Sequence, residues 1–204
     1  MHIAITGNIG SEKTTLAQLL SKHYGWELEL EDMEDNPYIS DFYDDMQRWS
    51  FNLQVYFLNK RFAKIKQIRD AERTVVQDRS IYEDAQIFAP NLHAMGLMST
   101  RDFDNYMSLF NTLNDFLTPP DLVIYLRGSI PKLVEQIQKR GRDYEDSIRL
   151  DYLKRLNERY EAWAGAYKQG KILYFNIDDL DFANNQEDAA KVIETIQAEI
   201  NGLF

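Results

Sequence analysis

The sequence predicts an α/β protein in three layers, a five-stranded parallel sheet with helices on both faces, in a single domain over residues 1–204. Two observations carry this. Short β-branched or apolar runs alternate with amphipathic stretches of helical period along the whole chain, and such alternation implies right-handed crossovers and parallel pairing. Charged residues gather just after several of these runs, and the carboxyl edge of a parallel sheet is where ligands bind.

The first strand is the apolar run at residues 2–6, which enters a turn at Gly7 and leaves through a helix marked by Leu16, Leu19, Leu20 and Tyr24. Strand, glycine-bearing loop and helix in this order make a phosphate-binding loop: successive backbone N–H groups and a helix N-terminus converge on phosphate oxygens. Gly7, Gly10, Lys13 and Thr14 fit its pattern, with the lysine as a point charge and the threonine hydroxyl as a Mg²⁺ ligand. The full loop is Gly7, Asn8, Ile9, Gly10, Ser11, Glu12, Lys13, Thr14 and Thr15. Glu12 departs from the pattern G-x-x-x-x-G-K-[ST], which places glycine before the lysine.

Alternating apolar and acidic residues at 26–31 predict the second strand, with Glu31 and Asp32 at its far end and Asn36-Pro37 closing it. Residues 39–71 read as one short helix followed by a long one, with Phe51, Val55, Leu58, Phe62 and Ile65 three or four apart and mostly in the core. Gln54 and Arg61 are seven residues apart, so they share a helix face, together with Phe57. Residues 74–77 form the third strand, leading into Asp78, Arg79 and Ser80. A helix follows over residues 81–88 and is expected to break at Ala89-Pro90-Asn91. Ser99 and Asp102 resemble a capping box for a helix reaching Leu117, which Thr118-Pro119-Pro120 ends. The fourth strand covers residues 121–126. Ser129 and Pro131 start the next helix, which runs into Arg140, Gly141 and Arg142. A long helix carries Leu150, Leu153, Leu156, Tyr160, Trp163 and Tyr167; residues 171–177 are the fifth strand, and Ala189, Ile193, Ile196 and Ile200 line the last helix.

The formal charge of −10 opposes a polyanionic partner, so neither nucleic acid nor an anionic membrane is expected, while a small anion in a local basic pocket is not excluded. Without cysteine there is no disulfide and no cysteine-based zinc site. No window reaches eighteen apolar residues and the start carries no signal-like segment, so the chain is expected to be soluble and cytoplasmic.

A carboxylate beside a phosphate loop is unfavourable unless it has a task, and removing a proton from a substrate hydroxyl is such a task for Glu31. Arg127, Arg140 and Arg142 add positive charge, the last two as a mobile lid over about residues 140–148 that closes on a triphosphate and excludes water.

Six segments, GNIGSEKTT, EDNPY, FYDDMQRWSFNLQVYFLNKRF, QDRSIYEDAQIFA, DLVIYLRGS and RGRDYE, together resemble the deoxynucleoside kinases, in particular the bacterial deoxyadenosine and deoxycytidine or deoxyguanosine kinases. The resemblance covers nearly the whole chain. It implies the P-loop kinase fold, transfer of the γ-phosphate of ATP or another NTP to the 5′-hydroxyl of a deoxynucleoside in nucleotide salvage, and a homodimer built on two helices per subunit. Carried over by position, it implies Glu31 as general base with Arg79 beside it, and Gln54 on the nucleobase edge. Arg61 and Asp84 become a charged pair near the base, with Phe57 in the same nucleoside subsite. Tyr43 and Glu145 hold the sugar 3′-hydroxyl. Lys13, Arg140 and Arg142 bind phosphates, and Thr14 and Asp78 serve Mg²⁺. Family members carry glycine where this chain has Glu12, whose carboxylate is expected to pair with Lys13 or Arg79 or to repel the donor. Two other readings are weighed: a nucleoside monophosphate kinase, whose dianionic acceptor Glu31 would repel, and a nucleoside-binding form impaired by Glu12.

Overall fold

In the computed structural model, which describes residues 1–31, 36–145 and 147–202, the apolar runs become β1 (His2–Gly7), β2 (Glu27–Glu29), β3 (Val75–Asp78), β4 (Leu122–Arg127) and β5 (Lys171–Asn176). They lie in the order β2-β3-β1-β4-β5, with every neighbouring pair parallel. Ile3, Ile5, Val76 and Ile124 are inaccessible to solvent, as central strands covered on both faces require. The chain places β3 on one side of β1 and β4 on the other, so the crevice that parallel sheets use for ligands opens at the carboxyl ends of β1 and β3. β2 is shorter than the run that announced it, which loses Trp26 at one end and residues 30 and 31 at the other; Trp26 stacks on Tyr24, with ring centroids 4.1 Å apart. The predicted strand-end residue Asp32, and Glu34 and Asp35 of the EDNPY segment, lie outside the described residues.

The helices fall close to their expected places. α1 (Lys13–Tyr24) stops at Gly25, whose φ of 68° allows its N–H to reach Ser21 O at 2.9 Å. The short and long helices are α2 (Ile39–Asp44) and α3 (Met46–Asp70), separated at Asp45, whose carboxylate accepts from Arg48 N at 3.0 Å.

The expected break at residues 89–91 does not occur. α4 (Ile81–Glu83) widens into a π-turn (Asp84–Phe88) and continues as α5 (Ala89–Ala94). Ala89 N bonds back to Asp84 O, five residues away, and Pro90, which has no N–H to donate, sits in the first turn of α5. One wide turn therefore absorbs the proline without ending the helix.

α6 (Thr100–Asn114) opens at the Ser99 cap, where Ser99 Oγ accepts from Asp102 N at 3.1 Å, and it ends three residues before Leu117. α7 (Ile130–Arg140) is closed by Gly141 at φ 63°, and a 3-10 turn (Asp143–Glu145) leads toward α8 (Leu150–Ala166). α9 (Gln186–Ile200) is the last helix among the described residues.

Candidate active site

The loop after β1 needs both of its glycines. A Cβ on Gly7 would lie 2.6 Å from Leu126 O, and one on Gly10 would lie 2.6 Å from Leu133 O; their φ angles are 153° and 82°. Lys13 Nζ curls back to donate to Asn8 O at 2.9 Å and is buried. Burial, then the positive charge of Arg79, lowers its pKa to about 8. Asn8 anchors the loop: its Nδ2 donates to Leu153 O at 3.1 Å and to Asn157 Oδ1 at 3.2 Å on α8. Its side chain is thus committed to holding the loop.

Glu12 sits at the N-cap of α1 with φ 65° and ψ 26°, the left-handed conformation that favours glycine. For an L-residue this costs about 1–2 kcal/mol. The expected ion pair with Lys13 or Arg79 is absent among the described residues. Instead Glu12 Oε2 accepts the Thr15 hydroxyl at 2.5 Å, because the first helical turn brings residues 12 and 15 together. Thr15 Oγ1 is thereby bound within the loop.

Thr14 Oγ1 donates to Asp78 Oδ2 at 2.5 Å, joining the end of β3 to the start of α1, while Asp78 Oδ1 is buried without a hydrogen-bond partner. A hydroxyl and a carboxylate with one unused oxygen match the hard oxygen donors that Mg²⁺ takes when phosphates and waters complete its shell. Among the described residues no group of three His, Cys, Asp or Glu could hold a metal ion.

Glu31 Oε1 accepts from Arg61 Nη2 at 2.5 Å and from Arg79 Nη1 at 3.3 Å. Burial works to raise its pKa, but Arg79, Arg61 and Lys13 outweigh it and hold the carboxyl at about 2. Arg61 Nε donates to Asp84 Oδ2 and Arg61 Nη1 to Arg79 O at 3.3 Å, with the guanidinium carbon 5.1 Å from the centre of the Phe57 ring. Burial raises the Asp84 pKa against the opposing pull of Arg61. Arg79, directly after β3, has φ 66° and joins Glu12 as a non-glycine residue in the left-handed region.

Glu31, Phe57, Asp78, Arg79 and Asp84 line one cavity of about 720 Å³ with Lys13, Thr14, Gln54, Tyr43 and Glu145, while Arg61 lies behind its wall, bonded to Glu31 and Asp84. Gln54 and Arg61 do share a face, and both are buried; Gln54 Oε1 has no hydrogen-bond partner. Burial first, then Tyr152 and Glu145, pushes the Tyr43 phenol well up, so it remains an O–H donor. The lid arginines do not stand free. Arg140 Nη2 donates to Glu145 Oε1 at 2.5 Å and Arg140 Nε to Oε2 at 3.1 Å, and Arg142 lies 3.6 Å from Oε1. The turn at Gly141 and the 3-10 turn fold residue 145 back onto residue 140. Of the lid segment, Asp146 lies outside the described residues.

Arg127 does not join the site. It is half-exposed, and its guanidinium makes a two-point contact with Glu161 of α8, at 2.6 and 3.2 Å. Phe88 and Tyr152 also line the cavity, and the sequence pattern gives neither a role in the site. Glu83, beside Arg79, was also passed over, although the S-x-x-E spacing of Ser80 and Glu83 is a visible capping-box signal.

A family model described as deoxynucleoside kinase matches residues 3–201. The chain belongs to the deoxynucleoside kinase family. It is 38% identical over 202 residues to the deoxyadenosine/deoxycytidine kinase of Bacillus subtilis (strain 168), covering 98% of this chain and 93% of that one. The deoxyguanosine kinase of the same organism is 33% identical over 194 residues, with 93% of each chain covered. Among solved structures, deoxyadenosine kinase from M. mycoides with the products dCMP and a flexible dCDP bound superposes with a TM-score of 0.86 at 31% identity, covering 99% of this chain and all of that one. The deoxynucleoside kinase family settles the acceptor as a nucleoside in preference to a nucleoside monophosphate.

Proposed function

We propose that this chain phosphorylates the 5′-hydroxyl of deoxyadenosine, deoxycytidine or deoxyguanosine with ATP, in nucleotide salvage, and that Glu31 is its general base. The observation that supports Glu31 most is its position: an ionised carboxylate, held by Arg61 and Arg79, in one cavity with the lysine of the phosphate loop and with Gln54.

A pKa of about 2 keeps Glu31 charged throughout the physiological range, ready to accept a hydrogen bond from the 5′-hydroxyl. It is a weak base, so it takes the proton late, once the O5′–P bond is forming and the hydroxyl has become acidic. The bond from the γ-phosphorus to the bridging oxygen breaks, and its electrons leave with ADP. Arg79 and Lys13 face the charge on the phosphoryl group in transit. Backbone N–H groups of the loop after β1 cradle the donor phosphates, apart from those of Ile9 and Ser11, which donate to Asn8. Thr14 and Asp78 would hold Mg²⁺, which when bound neutralises charge on the donor phosphates. Arg140 and Arg142 exchange Glu145 for phosphate when the donor arrives, releasing the Glu145 carboxylate to accept the 3′-hydroxyl beside Tyr43. Gln54, with an unpartnered acceptor, reads the base edge, next to Phe57 and the Arg61–Asp84 pair.

A working loop is favoured over an impaired one by the engagement of the Glu12 carboxylate with Thr15, which leaves Lys13 unneutralised. A homodimer through α3 and α6 accords with half-buried Phe51, Val55, Phe62 and Met107 and exposed Leu109 on those helices. The formal charge of −10 argues against nucleic-acid and anionic membrane partners and fits a cytoplasmic enzyme, and among the described residues no helix is long and apolar enough to cross a membrane. A radiometric screen of the four deoxynucleosides with ATP and Mg²⁺ tests the reading. Phosphorylation of a purine deoxynucleoside or deoxycytidine supports it, and thymidine as the best substrate contradicts it.

A further inference from the structure

Glu83 is a fully buried carboxylate outside the cavity described above, and the chemistry so far gives it no task. A buried charge is costly unless it is paired and hydrogen-bonded. Both of its oxygens are anchored. Oε1 accepts from Ser80 N at 2.8 Å, completing the capping box of α4, and Oε2 accepts from the Tyr160 hydroxyl at 2.7 Å. A glutamine would serve the cap equally well through its amide oxygen, so the cap does not account for the charge.

Among the described residues the cation in direct ion-pair contact with it is Arg79. Arg79 Nε lies 3.7 Å from Glu83 Oε2, too far for a hydrogen bond and close enough for strong attraction in a buried site. That nitrogen is buried and has no hydrogen-bond partner. The guanidinium is fixed on three sides: Glu83 at its Nε, Glu31 Oε1 at 3.3 Å from Nη1, and the Phe88 ring centre 4.8 Å from its central carbon. Of the two carboxylates, Glu31 is the one that must release Arg79 when it turns to the substrate hydroxyl and becomes protonated.

We infer that Glu83 is a positioning residue for phosphoryl transfer, a permanent counter-charge clamped by Ser80 and Tyr160 that keeps Arg79 in place while Glu31 gives up its own charge. This rests on the reading of Arg79 as a catalytic residue. Because the side chain acts through Arg79 and touches no substrate, its loss bears on turnover more than on nucleoside binding.

The test is a mutant cycle on the full-length protein with deoxyadenosine, ATP and Mg²⁺, using Glu83→Gln, Arg79→Lys and the double mutant. Glu83→Gln keeps the size and, through its amide oxygen, the cap; it removes the charge and turns an amide NH₂ toward the Tyr160 hydroxyl, which can rotate to accept. The expected result is a fall in kcat of about tenfold or more with the deoxynucleoside KM within about twofold, and no further fall when Glu83→Gln is added to Arg79→Lys. Wild-type kcat in Glu83→Gln beside a crippled Arg79→Lys overturns the role of Glu83 alone. Wild-type kcat in Arg79→Lys overturns the reading of Arg79 and the inference with it. An equal fractional loss in both backgrounds shows a structural effect and also overturns it. Tyr160→Phe loosens the clamp without altering charge and gives a second cycle if Glu83→Gln does not fold. There kcat is expected to fall about threefold with Arg79 present and not with Arg79→Lys, and an equal fall in both overturns the inference.

Discussion

Arg61 joins Glu31 to Asp84: Nη2 meets Glu31 Oε1 at 2.5 Å while Nε bonds Asp84 Oδ2. The side chain assigned to the base therefore also holds the carboxylate assigned to the hydroxyl. A nucleobase that disturbs Arg61 disturbs the general base as well, so base selection is expected to show in kcat and not in KM alone.

Asp84→Asn leaves Arg61 buried with one counter-charge fewer. Breaking a buried pair costs about 3–5 kcal/mol, and the remaining bond to Glu31 is expected to hold the loss near the lower end. Urea unfolding measures it. In competition assays the mutant is expected to lose at least about tenfold of its preference for deoxyadenosine over thymidine, since polar groups without partners stop penalising the wrong base. Unchanged selectivity would remove the pair from base recognition.

Lys13 gives a pH dependence. Its folded pKa of about 8 lies below the ordinary lysine value of 10.5, because of burial and Arg79. The unfolded chain then binds more protons between these values. The penalty of burying the charge is present in full below about pH 8, and stability rises as pH climbs from there toward 10.5. ATP affinity moves the other way. Only the ammonium attracts phosphate, so affinity is expected to weaken as pH passes above about 8, and binding there to take up a proton. Calorimetry in buffers of different ionisation enthalpy detects that uptake, and Lys13→Met is expected to abolish it.

At Glu12 the backbone and the charge point the same way. Glycine at φ 65° relieves left-handed strain of about 1–2 kcal/mol, less the entropy glycine adds to the unfolded chain. Glu12→Gly also frees the Thr15 hydroxyl and removes a negative charge next to the donor phosphates. At least about tenfold tighter ATP binding, roughly 1.4 kcal/mol, is expected, with deoxynucleoside affinity nearly unchanged. Equal ATP dissociation constants for the two proteins would show that the Thr15 bond already holds the carboxylate out of the way.

Local chemistry was the legible part of this chain. Gly7, Gly10, Lys13 and Thr14 announce a phosphate loop because the strand, the turn and the helix start all lie within a few residues. Gln54 and Arg61 share a face by helical period alone. Their burial depends on the packing of α3 against α4 and the π-turn, which spacing on one helix does not report. The π-turn itself has no compositional mark, so Pro90 read as a break. The Thr14–Asp78 bond spans 64 residues and exists because β1 and β3 pair with Ile5 opposite Asp78. The fold-back that gives Arg140 to Glu145 depends on a single left-handed glycine at 141. Arg127 was misplaced because position at a strand end does not tell which partner a long side chain finds.

If Glu31 accepts the proton of the deoxynucleoside 5′-hydroxyl, its loss is read in steady-state kinetics of Glu31→Gln with saturating Mg²⁺ and ATP, set beside deoxynucleoside binding by calorimetry. Loss of a general base is worth about 10²–10⁴ in rate, so kcat is expected to fall about 10²-fold or more while deoxynucleoside affinity changes little. Turnover near that of the unaltered protein would contradict the claim and remove Glu31 from the chemistry.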